Sequence, residues 1–316
     1  MKGIVMRFQR AADWIAQYVA YFALIAIIIV FGLLVPDRFL TSANLSVVLQ
    51  NSAVLSIVAI GITFVIISGS IDLSVGSIIA FSGAIAATFT PQLGAWAFVF
   101  APIVGALLGT VNGLIFTRAK IPSFVVTLGM LSMARGATVI YSGGTPIRIP
   151  LTSDYYLFGT PPMPIIIVAI VAVIAWSLFK FTTFGRYVFA IGGDEDKSRI
   201  LGVPCNAVKT WVYVLSGMMA GVGGGILTSQ IGSGSPTIGT GFELQAISAV
   251  VIGGTPLTGG AGSIIGTLVG SLVITTLANG LIILGISSNV QTVLTGAVLI
   301  LAVMISIRRG KLRIIK

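Results

Sequence analysis

Histidine does not occur in this 316-residue sequence, and cysteine occurs once, as Cys205. One cysteine cannot form a disulfide within the chain, and protein metal sites rely largely on histidine and cysteine ligands. The sequence has only 8 acidic residues, and no two of them are placed as an acid and base pair. We therefore expect no metal site and no catalytic residues, which argues against an enzyme.

Charged residues are also scarce. They make up 8% of the sequence, hydrophobic residues make up 56%, and the mean hydropathy is +1.08. A chain of this composition cannot cover a soluble globule with polar surface. The apolar runs do not alternate with polar residues, which excludes the strands of a membrane barrel. The sequence predicts an all-α polytopic membrane protein.

The apolar runs give the number of helices, because one membrane crossing takes about 20 residues. The run that follows the basic residues 1–10 is too long for a signal peptide and lacks a small-residue cleavage site, so we expect it to remain as the first span. The whole chain, 1–316, is then one transmembrane domain of about ten helices, some of them interrupted. The predicted spans lie near residues 15–35, 45–68, 73–90, 96–117, 121–142, 163–182, 210–230, 242–260, 262–284 and 289–307.

Basic residues support this layout. All of the 18 Lys and Arg residues except Arg38, Arg135 and Arg148 fall at the two ends of the chain, at 118–120 or at 180–209. Ten spans put all these segments on one side, and the positive-inside rule makes that side, with both termini, cytoplasmic. The net charge of +10 thus reflects topology and contact with membrane lipid, and we expect no nucleic-acid partner.

Two polar segments connect the predicted spans. Residues 142–164 are rich in Pro, Gly and Tyr and lie outside, where we expect a short interfacial helix or a docking surface. Residues 184–209 read FGRYVFAIGGDEDKSRILGVPCNAVK and lie inside. Acidic residues precede basic ones there, which favours a short helix that ends near Gly202. This loop is either a solvated connector or a docking helix for a cytoplasmic partner.

Glycine occurs 39 times, in two patterns. Glycines four residues apart, such as Gly105 and Gly109, predict faces where helices pack closely. Glycine clusters with Ser, Thr or Pro instead interrupt apolar runs, as in SGS before Asp72, and interrupted helices are typical of transport pathways. The string GSII occurs in both interrupted regions, at 76–79 and 262–265, which indicates a weak internal repeat. The residues predicted to break or pack helices are Gly69, Gly76, Gly253, Gly254, Pro256, Gly259, Gly260 and Gly262.

Polar residues inside the apolar runs are the candidates for lining a solute pathway, and the alternative for each is a hydrogen bond between helices. We expect Arg135 to form an ion pair with Asp72 or Glu243, or to act in gating, and Glu243 to interact with the N-terminus of its helix. We expect Asp72 to cap the following helix through N–H groups such as those of Ser74 and Val75, or to contact the solute. The pathway candidates are Gln50, Asn51, Ser68, Ser70, Asp72, Asn112, Thr127, Arg135, Glu243, Gln245, Ser248 and Asn279.

Four motifs follow one another along the chain: SIDLSVGS (70–77), FGRYVFAIGGDEDKSRILGV (184–203), GTGFELQAISAVVIGGTPLTGGAGSIIGTLVG (239–270) and NGLIILGISS (279–288). Together, over about residues 40–307, they resemble the permease subunits of ribose-type monosaccharide ABC importers. This resemblance implies a bacterial inner-membrane protein of about ten spans that imports a small sugar.

The resemblance also implies partners. These are a periplasmic sugar-binding protein, a cytoplasmic ABC ATPase that holds ATP and Mg²⁺, and a second permease subunit, either identical or a sister chain. This chain lacks the G-x-x-x-x-G-K-[ST] pattern, so we expect it to bind no cofactor itself. Residues 184–203 are implied to be the coupling segment seated in the ATPase. The residues implied to couple are Gly192, Gly193, Asp194, Glu195, Asp196, Lys197, Ser198, Arg199, Leu201 and Gly202.

An ion-coupled secondary transporter of a small polar solute is the alternative, with Asp72 and Glu243 as cation sites. Uptake that depends on an ion gradient favours this alternative, and uptake that depends on ATP and a binding protein favours the ABC importer. The motifs leave the sugar open among ribose, xylose, galactose-type sugars and other small polyols.

Overall fold

The computed structural model describes residues 20–313, which form a bundle of α-helices. The basic N-terminus, the first residues of the predicted first span and residues 314–316 lie outside the described part. In that part the strands are Ile147–Arg148 (β1) and Ser233–Gly234 (β2), which pair antiparallel. The helices are α1 (Ala20–Leu34), α2 (Pro36–Phe39), α3 (Ser42–Ile67), α4 (Val75–Leu93), α5 (Phe100–Ala119), α6 (Ser123–Ser142), α7 (Met163–Phe181), α8 (Thr183–Gly193), α9 (Glu195–Ile200), α10 (Cys205–Ile231), α11 (Phe242–Ile252), α12 (Ile264–Ile283) and α13 (Ser288–Arg313), with 3₁₀ helices at Gly94–Val99 and Asp154–Phe158.

Within the described residues, six helical stretches are long and apolar enough to cross a membrane, and one of them, Val75–Ala119, contains both α4 and α5. This confirms the prediction of a multi-pass all-α membrane protein. The predicted span at 242–260 is not a continuous helix, because α11 ends at Ile252. Its 11 residues extend about 16 Å, well short of a hydrocarbon core about 30 Å thick.

The centre of the bundle is α3 packed antiparallel on α10. Gly61 of α3 lies against Ser216 of α10, where a Cβ on the glycine would lie 2.9 Å from Ser216 Cα. α10 also packs on α5 along a face of glycines, where Gly105 and Gly109 are in direct backbone contact with Gly217. Such close approach of backbones is the main source of helix association in lipid, where the hydrophobic effect is lost. α10 is therefore the central helix, and α3 and α5 pack directly on it.

The chain between α3 and α4 folds back into the bundle. α3 ends at Ile67, yet Asp72 is hydrogen-bonded to Ser216 of α10, and Ser216 lies beside Gly61. Gly61 lies about 9 Å before the end of α3, since a helix rises 1.5 Å per residue. Residues 68–74 therefore run back along α3, and α4 begins inside the bundle instead of at its end.

α11 begins beside the start of α4. A Cβ on Gly76 would collide with the carbonyl oxygen of Gly239, and a Cβ on Gly239 would collide with that of Gly76. From this point α4 runs alongside the second half of α10, whereas α11 runs toward the beginning of α12, where Gly253 contacts Gly266. The N-termini of α4 and α11 thus meet inside the bundle, and each brings N–H groups without helical partners.

Residues 142–164 fold onto the end of the bundle opposite to α8 and α9. Tyr155 in the 3₁₀ helix is fully buried, and its hydroxyl donates to Gly225 O (3.3 Å). Phe158 stacks on Phe98 with ring centroids 4.0 Å apart. Leu151 is 91% exposed. The segment is therefore packed on the bundle and still presents an apolar side chain.

Candidate functional site

Asp72 lies in the break between α3 and α4 and is fully buried. Its Oδ1 accepts hydrogen bonds from Ser74 N (2.9 Å) and Ser74 Oγ (2.6 Å), and its Oδ2 accepts from Ser216 Oγ (2.8 Å). Asn112 Nδ2 on α5 donates to Ser74 Oγ (2.9 Å). Of the two N–H groups expected to meet the carboxylate, that of Ser74 does so. A buried carboxylate with several donors is stabilised by them, and here they join α4 to α5 and α10.

The backbone of Ile71, next to Asp72, is held by side chains of two other helices. Ile71 N donates to Ser123 Oγ (3.1 Å), and Ile71 O accepts from Tyr213 OH (3.1 Å) and Thr127 Oγ1 (3.4 Å). Extended backbone inside a membrane needs such partners, because lipid offers none. Thr127, a pathway candidate, thus takes part in this network.

Arg135 has different partners from those predicted. Its Nη1 donates to the carbonyl oxygens of Pro236 and, at 2.9 Å, of Ile238. The predicted ion pair with Asp72 is wrong, since the ion pairs within 4 Å among residues 20–313 all lie at 194–209. Arg135 and Glu243 attract each other electrostatically without forming a direct ion pair. Carbonyl acceptors carry no signal in the sequence, so the contacts with Pro236 and Ile238 were not predictable. Arg135 belongs to α6, and its hydrogen bonds hold the loop that precedes α11 against that helix.

Glu243 lies in the first turn of α11, as its sequence position predicts. Its Oε2 is buried, has no hydrogen-bond partner, and lies where a Cβ on Gly76 would collide with it. The carboxylate is therefore beside the N-termini of both α4 and α11, where the helix dipoles favour a negative charge.

Two adjacent cavities gather four of the pathway candidates. The smaller, about 160 Å³, is lined by Asn51, Gln245 and Asn279 together with Phe242. The larger, about 290 Å³, lies nearer the end where α3 begins and is lined by Gln50 and Asn51. Asn51 faces both. None of the described residues that line either cavity is charged. The sequence did not identify Phe242, because an aromatic residue in an apolar run has no distinguishing signal.

The other pathway candidates lie elsewhere. Ser248 Oγ donates to Leu244 O on its own helix (2.7 Å), and Ser68 Oγ donates to Val65 O (2.7 Å). Ser70 Oγ is buried without a hydrogen-bond partner. The structure thus separates the candidates into four that line the cavities and others that lie around Asp72 or on and next to α11.

Residues 184–209 contain most of α8, all of α9 and the beginning of α10. α9 is the short helix that was predicted, whereas α8 was not predicted. Asp194 lies between α8 and α9, and its Oδ1 accepts from Lys197 N (3.0 Å) at the start of α9. α9 ends at Ile200. Ile200 and Leu201 are 84% and 83% exposed. Ile200 is missing from the set predicted to couple, yet these two side chains form the apolar surface of the segment. An exposed apolar pair among charges is typical of a docking surface.

Glu195 connects α9 to the beginning of α10. Its carboxylate forms an ion pair with Lys209 and another with Arg199 (3.0 Å). Partial burial raises the pKa of the Glu195 carboxyl, but the hydrogen bonds and charges of Lys209 and Arg199 outweigh it and hold the pKa below its ordinary value. This carboxylate is therefore charged at neutral pH and fixes α9 on α10.

Most of the predicted helix-breaking glycines lie in non-helical segments. Gly69, Gly254, Gly259 and Gly260 have φ between +74° and +95°, a region that side chains with a Cβ rarely occupy. Gly76 differs, because it lies inside the first turn of α4. It is needed there for the close approach of the loop before α11, so of the two roles predicted for this set it has packing and not helix breaking.

The chain matches the family described as branched-chain amino acid transport system, permease component, over residues 44–303. The ribose import permease protein RbsC of Escherichia coli (strain K12) is 39% identical over 302 residues, which cover 92% of this chain and 94% of that protein. RbsC of Bacillus subtilis (strain 168) is 40% identical over 304 residues, with 92% of each chain covered. The fructose import permease protein FrcC of Rhizobium meliloti is 32% identical over 319 residues, which cover 96% of this chain and 89% of that protein. No solved structure matches the chain.

Proposed function

The chain belongs to this family of transport-system permease components, and we propose that it carries a ribose-like monosaccharide as the membrane-spanning subunit of an ABC importer. As a permease subunit it transports and is not an enzyme. The family description names amino acids, whereas the relatives are named for ribose and fructose import. The chemistry of the cavities favours the sugar.

The lining of the two cavities suits a neutral polyol. Amide groups of Asn51, Gln245 and Asn279 both donate and accept hydrogen bonds, as sugar hydroxyls do. Phe242 offers an apolar face for the carbon atoms of a sugar ring. An amino acid would bring two charges, and burying them without charged partners is costly. The uncharged lining among the described residues is the observation that carries this proposal.

The proposed topology has ten spans, with both termini in the cytoplasm of a bacterium and the chain in its inner membrane. α11 together with the non-helical residues 253–263 then takes the place of the eighth span. The end that carries α8 and α9 faces the cytoplasm, and residues 142–164 face the periplasm. The positive-inside distribution of Lys and Arg supports this orientation.

The proposed partners follow from that orientation. A periplasmic sugar-binding protein docks on residues 142–164, where Leu151 is exposed. An ATPase that holds ATP and Mg²⁺ binds α8 and α9 through Ile200 and Leu201. A second permease subunit completes the pathway. ATP-driven closure of the ATPase moves α8 and α9, and this movement changes which end of the cavities is open.

The ion-coupled alternative gains no support from Asp72. Both of its carboxylate oxygens accept hydrogen bonds from Ser74 or Ser216. A cation site needs oxygen lone pairs directed at the ion, and these three donors occupy most of those on the Asp72 carboxylate. The hydrogen bonds of Asp72 therefore favour a structural role at the break between α3 and α4 over a cation site.

A competition assay tests the substrate class. Uptake of labelled ribose into proteoliposomes that contain the importer is measured with excess unlabelled ribose, allose, fructose or leucine. We expect sugars, and not leucine, to compete. Competition by leucine alone would contradict the proposal.

A further inference from the structure

Three separate parts of the chain meet at four glycines near α8. We call this cluster, Gly69, Gly192, Gly259 and Gly260, the glycine junction. Gly260 N donates a hydrogen bond to Ile67 O (2.9 Å) at the end of α3. A Cβ on Gly192 of α8 would collide with Ile67 O and would lie 2.5 Å from Gly260 N. A Cβ on Gly259 would lie 2.8 Å from Gly69 N.

The junction therefore brings the backbone of α8 against both interrupted segments at once. Residues 68–74 begin directly after Ile67, and residues 253–263 contain Gly259 and Gly260. Because glycine has no side chain, the backbone of Gly192 directly contacts the backbones of Ile67 and Gly260. Side chains absorb small displacements by changing rotamer, but backbones in direct contact cannot do so.

From this contact we infer that Gly192 is a positioning residue that transmits the movement of α8 to both interrupted segments. The inference rests on the proposed function, because it requires α8 and α9 to be seated on an ATPase. Movement of α8 then displaces two parts of the chain. One is the end of α3, which leads to Asp72 and α4, and the other is the loop that joins α11 to α12. The two helices whose N-termini meet at Gly76 move together.

Gly129 is a matched control. It lies inside α6, away from the glycine junction, and a Cβ on it, unlike one on Gly192, would meet no atom within 4 Å. Neither residue has a positive φ, and alanine suits a helix better than glycine at both positions. A difference between the two alanine variants therefore reports the contact and not the helix.

The experiment uses the complete complex of permease, ATPase and binding protein in proteoliposomes. Assembly, ATP hydrolysis and sugar uptake are measured for wild type, Gly192→Ala and Gly129→Ala. We expect Gly192→Ala to assemble and hydrolyse ATP, while sugar transported per ATP falls about tenfold. Gly129→Ala should keep the wild-type ratio. A wild-type ratio in Gly192→Ala would overturn the inference, and absence of sugar uptake by the wild-type complex would instead count against the proposed function.

A second measurement does not depend on the folding of a variant. Hydrogen exchange of the wild-type complex is compared with and without ATP. We expect exchange to change together in residues 183–193, 68–74 and 253–263. A change confined to 183–193 would overturn the inference, whichever solute the complex carries.

Discussion

Ser216 Oγ donates a hydrogen bond to Asp72 Oδ2 across 2.8 Å and so joins the centre of α10 to the break between α3 and α4. Ser74 provides the other two donors to the same carboxylate. The network bonds the N–H of Ser74, the residue directly before α4, and so fixes the backbone where α4 begins inside the bundle. Asp72 is therefore an architectural residue that sets where α4 starts.

Replacement of Asp72 tests this role. Asp72→Asn keeps the shape but removes the charge and turns one acceptor into a donor that faces donors. We expect the free energy of unfolding to fall by about 2 kcal/mol, with a lower thermal midpoint in detergent and reduced uptake. Asp37→Asn, at an exposed position on α2, is the control. An unchanged midpoint in Asp72→Asn would contradict the role.

Arg135 should matter through the loop before α11. Arg135→Met keeps much of the side-chain volume and removes the donors to Pro236 and Ile238. Hydrogen bonds from charged groups are worth roughly 1.5–3 kcal/mol, so we expect faster proteolysis of residues 235–241 and reduced uptake. Arg118→Met, at an exposed position on α5, should behave as wild type. Equal proteolysis of both variants would show that the anchor is unimportant.

Gln245 and Ser248 form a matched pair on α11, because only Gln245 lines the cavity. We expect Gln245→Ala to raise the sugar concentration for half-maximal uptake about tenfold, since one or two hydrogen bonds are lost. Ser248→Ala should change it little. The measurement is the concentration dependence of uptake, and the reverse order of the two effects would place the sugar elsewhere.

Arg199 lies on the docking surface of the coupling segment. Its ion pair with Glu195 is half-exposed, so Arg199→Ala should cost less than about 1 kcal/mol of stability. We expect ATP hydrolysis by the complex to continue while uptake is lost. The protein should remain folded by thermal melt. Wild-type uptake in this variant would remove Arg199 from the coupling role.

The stability of the segment should depend on pH through Glu195. A carboxyl whose pKa is lower in the folded than in the unfolded chain stabilises fully above its unfolded pKa, and this stabilisation is lost as pH falls through the folded pKa. The ordinary value is 4.5. We expect the thermal midpoints of wild type and Glu195→Gln to differ at neutral pH and to converge as the pH falls below 4.5 and through the lowered pKa of the folded state. A difference that does not vary with pH would contradict the ion pairs.

The sequence predicted most helices because long apolar runs report burial in lipid directly. It also located the breaks, since glycine clusters beside Asp72 and at 253–262 have no other common use in a span. It did not predict the short α11, because one membrane crossing takes about 20 residues and the predicted span therefore extends past Gly253 and Gly254. Nor did it predict the partners of Arg135. Those depend on which backbones meet, and that is set by tertiary packing.

The energy source of transport tests the central claim most directly. Uptake of labelled ribose is measured in proteoliposomes that hold the permease, its ATPase and its binding protein, with an ionophore present to abolish ion gradients. An ABC importer permease predicts uptake that persists with the ionophore and stops when ATP or the binding protein is omitted. Uptake that continues without ATP and collapses with the ionophore would contradict it.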